Sequence, residues 1–336
     1  MSRKVCREVS KTPQRILVTG GAGYIGSTTA LLLADAGYEV LVADNLCRGH
    51  RNVVNPAWLR ELDILDTAGL TTLLTAEPCD AVVHFAAFIA VGESMKIPAD
   101  YFRNNLAGSL SLLTAMQRTG VKRLVFSSTA AVYGDPLTSP IPESAPFAPV
   151  SPYGESKVMV EQMLRWFDEI HGIRSIALRY FNASGCDLAG RTGEDHEPET
   201  HLIPLLFRAI RTGTPVTLFG DDYPTPDGTC IRDYIHVTDL ARAHILALEA
   251  LAQGAASAQY NAGTGLGYSV KEVVAAVEQV TGQKVPTIMG PRREGDSPSL
   301  VADSSKLQAQ LGWKPQYSDL ATIVRTAWQW ANRERM

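Results

Sequence analysis

The chain has 336 residues, 45% hydrophobic and 20% charged, with a formal net charge of −4, which describes a soluble globular protein of one large or two ordinary domains. This balance offers no electrostatic case for nucleic acid or an anionic membrane surface, and no apolar run approaches the ~20 residues needed to span a bilayer. The five cysteines (Cys6, Cys47, Cys79, Cys186 and Cys230) are scattered and odd in number, so they predict neither a disulfide framework nor a CxxC metal pattern and suit a reducing, cytoplasmic compartment.

Residues 1–14 carry Arg3, Lys4, Arg7 and Lys11 against Glu8 alone. They lack the apolar core of a secretion signal and predict a disordered basic extension. Residues 16–19 form a short apolar run ending in glycines, the pattern of a buried parallel strand. Residues 27–36 predict an apolar helix stopped by Gly37. Further strands are predicted over 39–44, 81–87, 123–128 and 175–182, with helices over 104–119 and 151–170. Pro152 sits at the start of the last helix, where proline is tolerated. Strand and helix in this rhythm predict an α/β fold, a doubly wound parallel sheet of Rossmann type over residues 15–183.

Beyond Ser184 the rhythm breaks. Residues 184–200 and 220–230 are rich in Gly, Pro, Asp and Glu and read as loops. Helices over 238–252, 269–281 and 318–332, with strands over 234–237 and 285–289, predict a smaller α/β substrate-binding domain over 184–336. A segment around 231–262 is expected to weave back into the first domain.

Gly20, Gly23 and Gly26 have Gly-x-x-Gly-x-x-Gly spacing where the first strand turns into the first helix. Without side chains there, the backbone can approach a pyrophosphate whose charge meets the helix N-terminus. Strand, turn and helix stand in the order dinucleotide binding needs. Asp44 ends the second strand. An acidic residue there can bond both ribose hydroxyls of NAD and would repel the extra phosphate of NADP, although it could equally cap the strand end. Arg48 nearby pulls the other way. Asp63 and Ile64 could frame the adenine, with a plain turn aspartate as the alternative.

Tyr153 and Lys157 lie four residues apart on a predicted helix and so share a face. Tyrosine holds its proton to a pKa of about 10 and is a poor base at neutral pH. A nearby ammonium favours the phenolate, so the lysine is expected to pull the tyrosine pKa down. Reaching pH 7 needs about 4 kcal/mol. A cationic nicotinamide beside the phenol would supply what one lysine cannot.

These motifs occur in order with Asp44-Asn45-Leu46, His84-Phe85-Ala86-Ala87, Val91-Gly92-Glu93-Ser94, Asn104-Asn105, the run from Ser127 to Gly134 and the run from Ser151 to Lys157. Leu178 to Asn182, Gly228 to Val237 and Pro291 to Asp296 continue the series. Together they resemble the extended short-chain dehydrogenase/reductase family, the NAD-dependent epimerases and dehydratases, over roughly residues 15–333.

The resemblance implies a tightly bound NAD and a UDP-sugar substrate. It implies a cofactor site of Gly20, Gly23, Tyr24, Ile25, Gly26, Asp44, Asn45, Asp63, Ile64, Phe85, Ala86, Ala87, Ile89 and Asn104. Thr129, Tyr153, Lys157 and Phe181 complete it. Tyr153 would exchange the proton of the sugar 4-hydroxyl, Thr129 would bond that oxygen, and Lys157 would tune the phenol while holding the nicotinamide ribose. Besides Thr129 and Tyr153, the implied substrate residues are Asn182, His201, Leu202, Thr217, Phe219, Arg232, Arg293, Asp296 and Leu300. Two arginines suit a diphosphate, since guanidinium binds phosphate oxygens bidentately. A homodimer through the helices at 104–119 and 151–170 is also implied, although their apolar faces might be intrachain core.

Among relatives, sugar-nucleotide 4,6-dehydratases carry an Asp-Glu pair just after the threonine. Here Ala130 and Ala131 stand there, and alanine transfers no proton. The activity implied is therefore reversible 4-epimerisation of UDP-glucose and UDP-galactose. The C4 position is transiently oxidised by NAD, the 4-keto sugar turns over, and re-reduction occurs on its other face. Leu300, smaller than the tyrosine of some epimerases, extends the expected substrates to UDP-N-acetylhexosamines. The alternatives are 4-epimerisation of UDP-xylose, UDP-arabinose or UDP-glucuronate, or a dinucleotide-binding sensor without catalysis. His196 and His201 flank Glu197-Pro198-Glu199-Thr200, but the spacing is not His-Glu-x-x-His and Pro198 would interrupt an aligning helix. No metal is expected.

Overall fold

Successive residues of the first strand serve opposite faces of one sheet, as the twofold side-chain period of a strand requires. In β1 (Arg15–Thr19), Ile16 and Val18 join a core with Leu33, Val42, Val83 and Leu240. Leu17 joins a second core with Leu41, Val82, Leu112 and Leu124. Burial on both sides explains why the strand reads as a continuous apolar run. The computed structural model describes residues 14–293 and 296–333. The basic extension expected over 1–14 lies, but for Gln14, outside them.

Seven parallel strands make the main sheet, in the order β10-β6-β5-β4-β1-β2-β3. They are β2 (Glu39–Asp44), β3 (Leu59–Glu61), β4 (Ala81–His84), β5 (Arg123–Thr129), β6 (Arg174–Tyr180) and β10 (Ala258–Ala262) around β1. The order 3-2-1-4-5-6 is that of a dinucleotide-binding doubly wound fold, with a crevice where the winding reverses between β1 and β4. Helices α1 (Tyr24–Asp35) and α8 (Val237–Ala252) cover one face. Helices α2 (Thr67–Ala76), α5 (Gly108–Thr119) and α6 (Pro152–His171) cover the other. Two single turns, α3 (Val91–Ser94) and α4 (Pro98–Tyr101), precede a π-helical stretch over Phe102–Ala107 that leads into α5.

The remaining elements gather on a smaller four-stranded sheet. Its β9 (Ile231–His236) pairs with β7 (Asn182–Ser184), β11 (Gly267–Ser269) and β13 (Ser299–Leu300), while β8 (Val216–Phe219) pairs with β12 (Thr287–Gly290). Helices α7 (Leu202–Thr212), α9 (Val270–Thr281) and α11 (Leu320–Ala331) close a third core around Leu206, Phe207, Val277 and Ile323. The short α10 (Ser305–Leu311) instead packs Leu307 under the main sheet.

The periodicity did not predict α2, α7 or α10. Helix α2 is rich in threonine, a weak helix former, and buries only Leu70 and Leu74. Asp66 caps it, accepting from the Gly69 N–H at 2.9 Å. Pro204 falls in the first turn of α7, where it removes no helical hydrogen bond. Among the described residues no helix is long and apolar enough to cross a membrane.

Candidate active site

The first turn of α1 opens without a side-chain cap, with Gly23 in the capping position and no acidic residue beside it. Its free N–H groups are a ready anion site. The three glycines of the turn have different reasons to be there. A Cβ on Gly20, whose φ is +71°, would come within 2.5 Å of the Ala86 nitrogen, and one on Gly26 within 2.2 Å of the Gly20 oxygen. Those two permit the chain's own close packing. A Cβ on Gly23 would meet only the Gly20 oxygen, at 3.4 Å, and Gly23 faces the cavity. Its missing side chain leaves a cradle for a ligand, so the turn fits a dinucleotide's pyrophosphate.

Asp44 is buried at the end of β2, its two carboxylate oxygens accepting from the backbone N–H groups of Ala22 (2.9 Å) and Leu46 (2.8 Å). Leu46 takes a φ of +59°, strained for a leucine, to make that contact. Burial raises the Asp44 pKa, and the two backbone bonds oppose it. Arg48 is engaged elsewhere: it pairs with Glu93 at 2.8 Å and lies over the Phe88 ring.

Tyr153 and Thr129 are brought together by a glycine contact. Ser151 caps α6 by accepting from the Gly154 N–H at 3.2 Å. A Cβ on Gly154 would lie 2.6 Å from the Ala131 oxygen, so the start of α6 presses on the turn that follows β5. Thr129 ends β5, its hydroxyl accepting from the Ala131 N–H at 3.1 Å and lying close enough to Tyr153 to favour its phenolate. Beneath them Lys157 is buried, its Nζ donating to the Ser127 carbonyl at 2.8 Å and lying 6.0 Å from the Tyr153 ring centre.

The electrostatics differ from the expectation that Lys157 lowers the Tyr153 pKa. Burial raises the phenol above its ordinary value, with only the Thr129 hydroxyl opposing it. Lys157 is itself pushed down to about 7 by burial, against the pull of Glu161. Burial and the bond to the Ser127 carbonyl thus leave Lys157 a weaker source of the cation that the spacing suggested.

The cavity wall includes most of the expected cofactor residues: Gly20, Gly23, Tyr24, Ile25, Gly26, Asp44, Asn45, Ile64, Phe85, Ala86, Ala87, Ile89 and Asn104. Thr129, Tyr153, Phe181, Asn182 and His201 join them. Lys157 lies under the floor instead. Asp63 is also outside the wall: it accepts from Asn45 Nδ2 at 3.0 Å and from the Leu65 N–H at 2.8 Å, shaping the loop that holds Ile64. Leu202, Thr217, Phe219, Arg232, Arg293, Asp296 and Leu300 are not on this wall either. Leu202 opens α7 and packs into the third core. Thr217 and Phe219 lie on β8, Arg232 on β9 and Leu300 on β13. Arg293 and Asp296 lie between β12 and β13, where Arg293 pairs with Asp296 at 2.9 Å and covers the Phe219 ring, and Arg232 reaches Asp296 at 3.5 Å. Leu300 lies beside Arg232 and packs in a cluster with Phe181, on the cavity wall.

Some residues at the site were assigned no role by their sequence pattern. Asn105, in the π-helical stretch, accepts from the Phe88 N–H at 2.8 Å and donates to its carbonyl at 3.0 Å and to Ser156 Oγ at 3.1 Å. It fixes the loop carrying Phe85 to Ile89 against α6. Ser127 bonds the Tyr180 hydroxyl. Glu194 and His196 also line the cavity, and with Glu199 and His201 their ligand atoms lie within 4.8 Å of one another. Pro198 does break the helix, but a loop packs these side chains together instead. His201 Nδ1 lies 2.8 Å from Glu194 and 3.0 Å from Glu199. Carboxylates only accept, so that nitrogen carries a proton, which holds the cluster. Burial works against the charge, yet Glu194 and Glu199 outweigh it and hold His201 up at about 10. Glu194 is correspondingly held well below the usual carboxylate range, burial notwithstanding.

A glycine-cradled helix N-terminus at the switch point, an acidic strand end and a buried tyrosine beside a strand-end hydroxyl define a dinucleotide-dependent site for redox at a carbinol carbon. The chain belongs to the NAD dependent epimerase/dehydratase family, whose model matches residues 16–263. It is 51% identical over 316 residues to the UDP-glucose 4-epimerase of Halalkalibacterium halodurans, covering 94% of this chain and 95% of that one. Among solved structures, the UDP-glucose 4-epimerase of Brucella ovis in complex with NAD superposes with a TM-score of 0.92 at 48% identity, covering 95% of this chain and 98% of that one. The UDP-glucose 4-epimerase of Stenotrophomonas, with NAD and formylated UDP-arabinopyranose bound, also reaches 0.92, at 42% identity over 95% and 98% of the two chains.

Proposed function

We propose that the protein interconverts UDP-glucose and UDP-galactose by reversible redox at C4 of the sugar. The observation that carries this reading is the pairing of Tyr153 with Thr129 on the cavity wall, beside two alanines where elimination would need an acid and a base. Bound NAD would supply the reversible redox, taking a hydride from one face of C4 and returning it to the other. Gly23 and the α1 N-terminus would take the pyrophosphate, and Asp44 the adenosine ribose. Arg48, already paired with Glu93, is poorly placed to attract a 2′-phosphate, which supports NAD over NADP.

Tyr153 would remove the 4-hydroxyl proton and later return it, while Thr129 holds the oxygen. The positive charge of the oxidised cofactor would oppose the burial that raises the phenol pKa, so the base would be stronger in the loaded protein. Lys157 fixes the Ser127 end of β5 and would reach the nicotinamide ribose. Asn182, His201, Arg232 and Arg293 would hold the UDP, with His201 protonated as described. Leu202, Thr217, Phe219, Asp296 and Leu300 would complete the pocket, with Asp296 holding the two arginines in the absence of a diphosphate.

Leu300 leaves more room than a tyrosine, so UDP-N-acetylhexosamines would also turn over. We read the protein as a cytoplasmic homodimer, paired through α5 and α6, where Leu110, Trp166 and Ile170 are 45, 51 and 67% exposed. Incubation with UDP-galactose, UDP-N-acetylgalactosamine and UDP-xylose separately, measuring each 4-epimer, tests the reading. Bound NAD without conversion of any of the three would favour a non-catalytic sensor.

A further inference from the structure

Residues 185–201 cross from the smaller sheet to α7, and their last part forms one wall of the dinucleotide cavity through Glu194, His196 and His201. This strap is tied on both sides. Toward the cofactor fold, Tyr24 donates to the Gly185 carbonyl at 2.6 Å, Ser27 and Thr192 share a buried hydroxyl bond of 2.6 Å, and His50 Nε2 meets the Asp195 carbonyl at 2.8 Å. Toward α11, Trp330 Nε1 donates to the Glu194 carbonyl at 2.9 Å. Gly193 lies flat on the same indole, since a Cβ there would come within 2.6 Å of the ring.

Glu194 joins these ties to the cavity. Its backbone is held from behind by Trp330, and its carboxylate, 8% exposed, grips His201 from the front. Tyr24 belongs to the glycine turn, and its ring meets the His196 ring edge-on, 6.2 Å between centres. A dinucleotide lying between the glycine turn and Tyr153 would therefore have the strap across it, and leaving would require the strap to lift.

We propose that Glu194 is a positioning residue that latches this strap over the bound dinucleotide and sets how slowly the cofactor is released. The proposal rests on reading the cavity as the NAD site. The latch works through the protonated His201: the carboxylate pair around it closes the 194–201 loop on itself, and the Trp330 bond fixes the closed loop to α11.

The test is cofactor exchange in the loaded protein. Wild type, Glu194→Gln and Trp330→Phe, each purified with its own dinucleotide, are diluted into excess isotopically labelled NAD. Bound label is followed by mass spectrometry after acid release. Glu194→Gln should exchange about tenfold faster, the loss of one charge-assisted hydrogen bond, and Trp330→Phe should also exchange faster by a smaller factor. Glu194→Asp, which keeps the charge, should restore slow exchange in part. A merely structural role would lower the unfolding midpoint without changing exchange at temperatures well below it. If Glu194→Gln does not fold, Trp330→Phe decides, because its indole N–H lies outside the cavity. Wild-type exchange rates in the folded variants overturn the latch while leaving the NAD site standing. A wild-type protein that holds no dinucleotide overturns the NAD reading and the latch with it.

Discussion

Lys157 places its ammonium 6.0 Å from the centre of the Tyr153 ring, yet spends its hydrogen bond on the Ser127 carbonyl, 2.8 Å away. The lysine thus acts on the tyrosine from below, through the strand that carries Thr129, more than by charge. Tyr153→Phe should lower epimerase turnover by at least about a thousandfold, within the range for a lost general acid–base group. Bound NAD should remain, measured by its release on denaturation. Near-normal turnover in that variant would refute the assigned role.

Arg179 and Glu161 form a buried pair behind the site, at 2.6 Å, and Glu161 also accepts from Ser128 on β5 at 2.5 Å. Removing one partner strands the other charge. Arg179→Leu should destabilise the fold by about 3–5 kcal/mol, seen as a lower midpoint in denaturant. A loss under about 1 kcal/mol would mean that water reaches the carboxylate.

Arg232 and Arg293 lean on Asp296 and are offered to a diphosphate. Each single alanine variant should raise the KM for UDP-galactose roughly ten- to hundredfold, the worth of a charge-assisted hydrogen bond. The kcat should fall much less. A change in kcat alone would place these arginines away from the substrate.

Leu300→Tyr should reduce turnover of UDP-N-acetylgalactosamine relative to UDP-galactose. An unchanged ratio would show that this position does not bound the sugar pocket.

His201 is charged because Glu194 and Glu199 hold its pKa up at about 10, against 6.5 for a free ring. A raised histidine contributes stability that is whole below 6.5 and is lost as pH climbs through 10. Cofactor exchange should therefore quicken across that window. The groups facing His201 that can titrate nearby are Glu194, Glu199, His196 and Tyr24, and Tyr24 stays neutral because burial raises its pKa further. Exchange that is flat from pH 7 to 10 would count against a proton-held strap.

The glycine turn, Asp44 and the Tyr153/Lys157 spacing were legible because each is a local arrangement, set by one turn or one helical repeat. Asp63 shows what spacing leaves out: its bonds to Asn45 and to the Leu65 N–H are set by the folded loop and not by a local repeat. The Glu194–His201 cluster was invisible for a related reason. Helical spacing does not describe it, because a proline-containing loop can gather side chains that no helix would. The π-helical stretch depends on what Asn105 meets across the fold, and no pattern within 102–107 encodes those partners.

The last strand of the main sheet, β10, is made from residues 258–262, after the chain has run through β7, α7, β8 and β9. During synthesis β6 therefore stays an unpaired, sticky border until some eighty residues more have emerged (258 − 180 = 78). A fragment ended near residue 183 would keep the glycine turn and Tyr153 but present that raw border to other chains, and should precipitate rather than bind. No single scissors cut in this polypeptide yields two tidy halves.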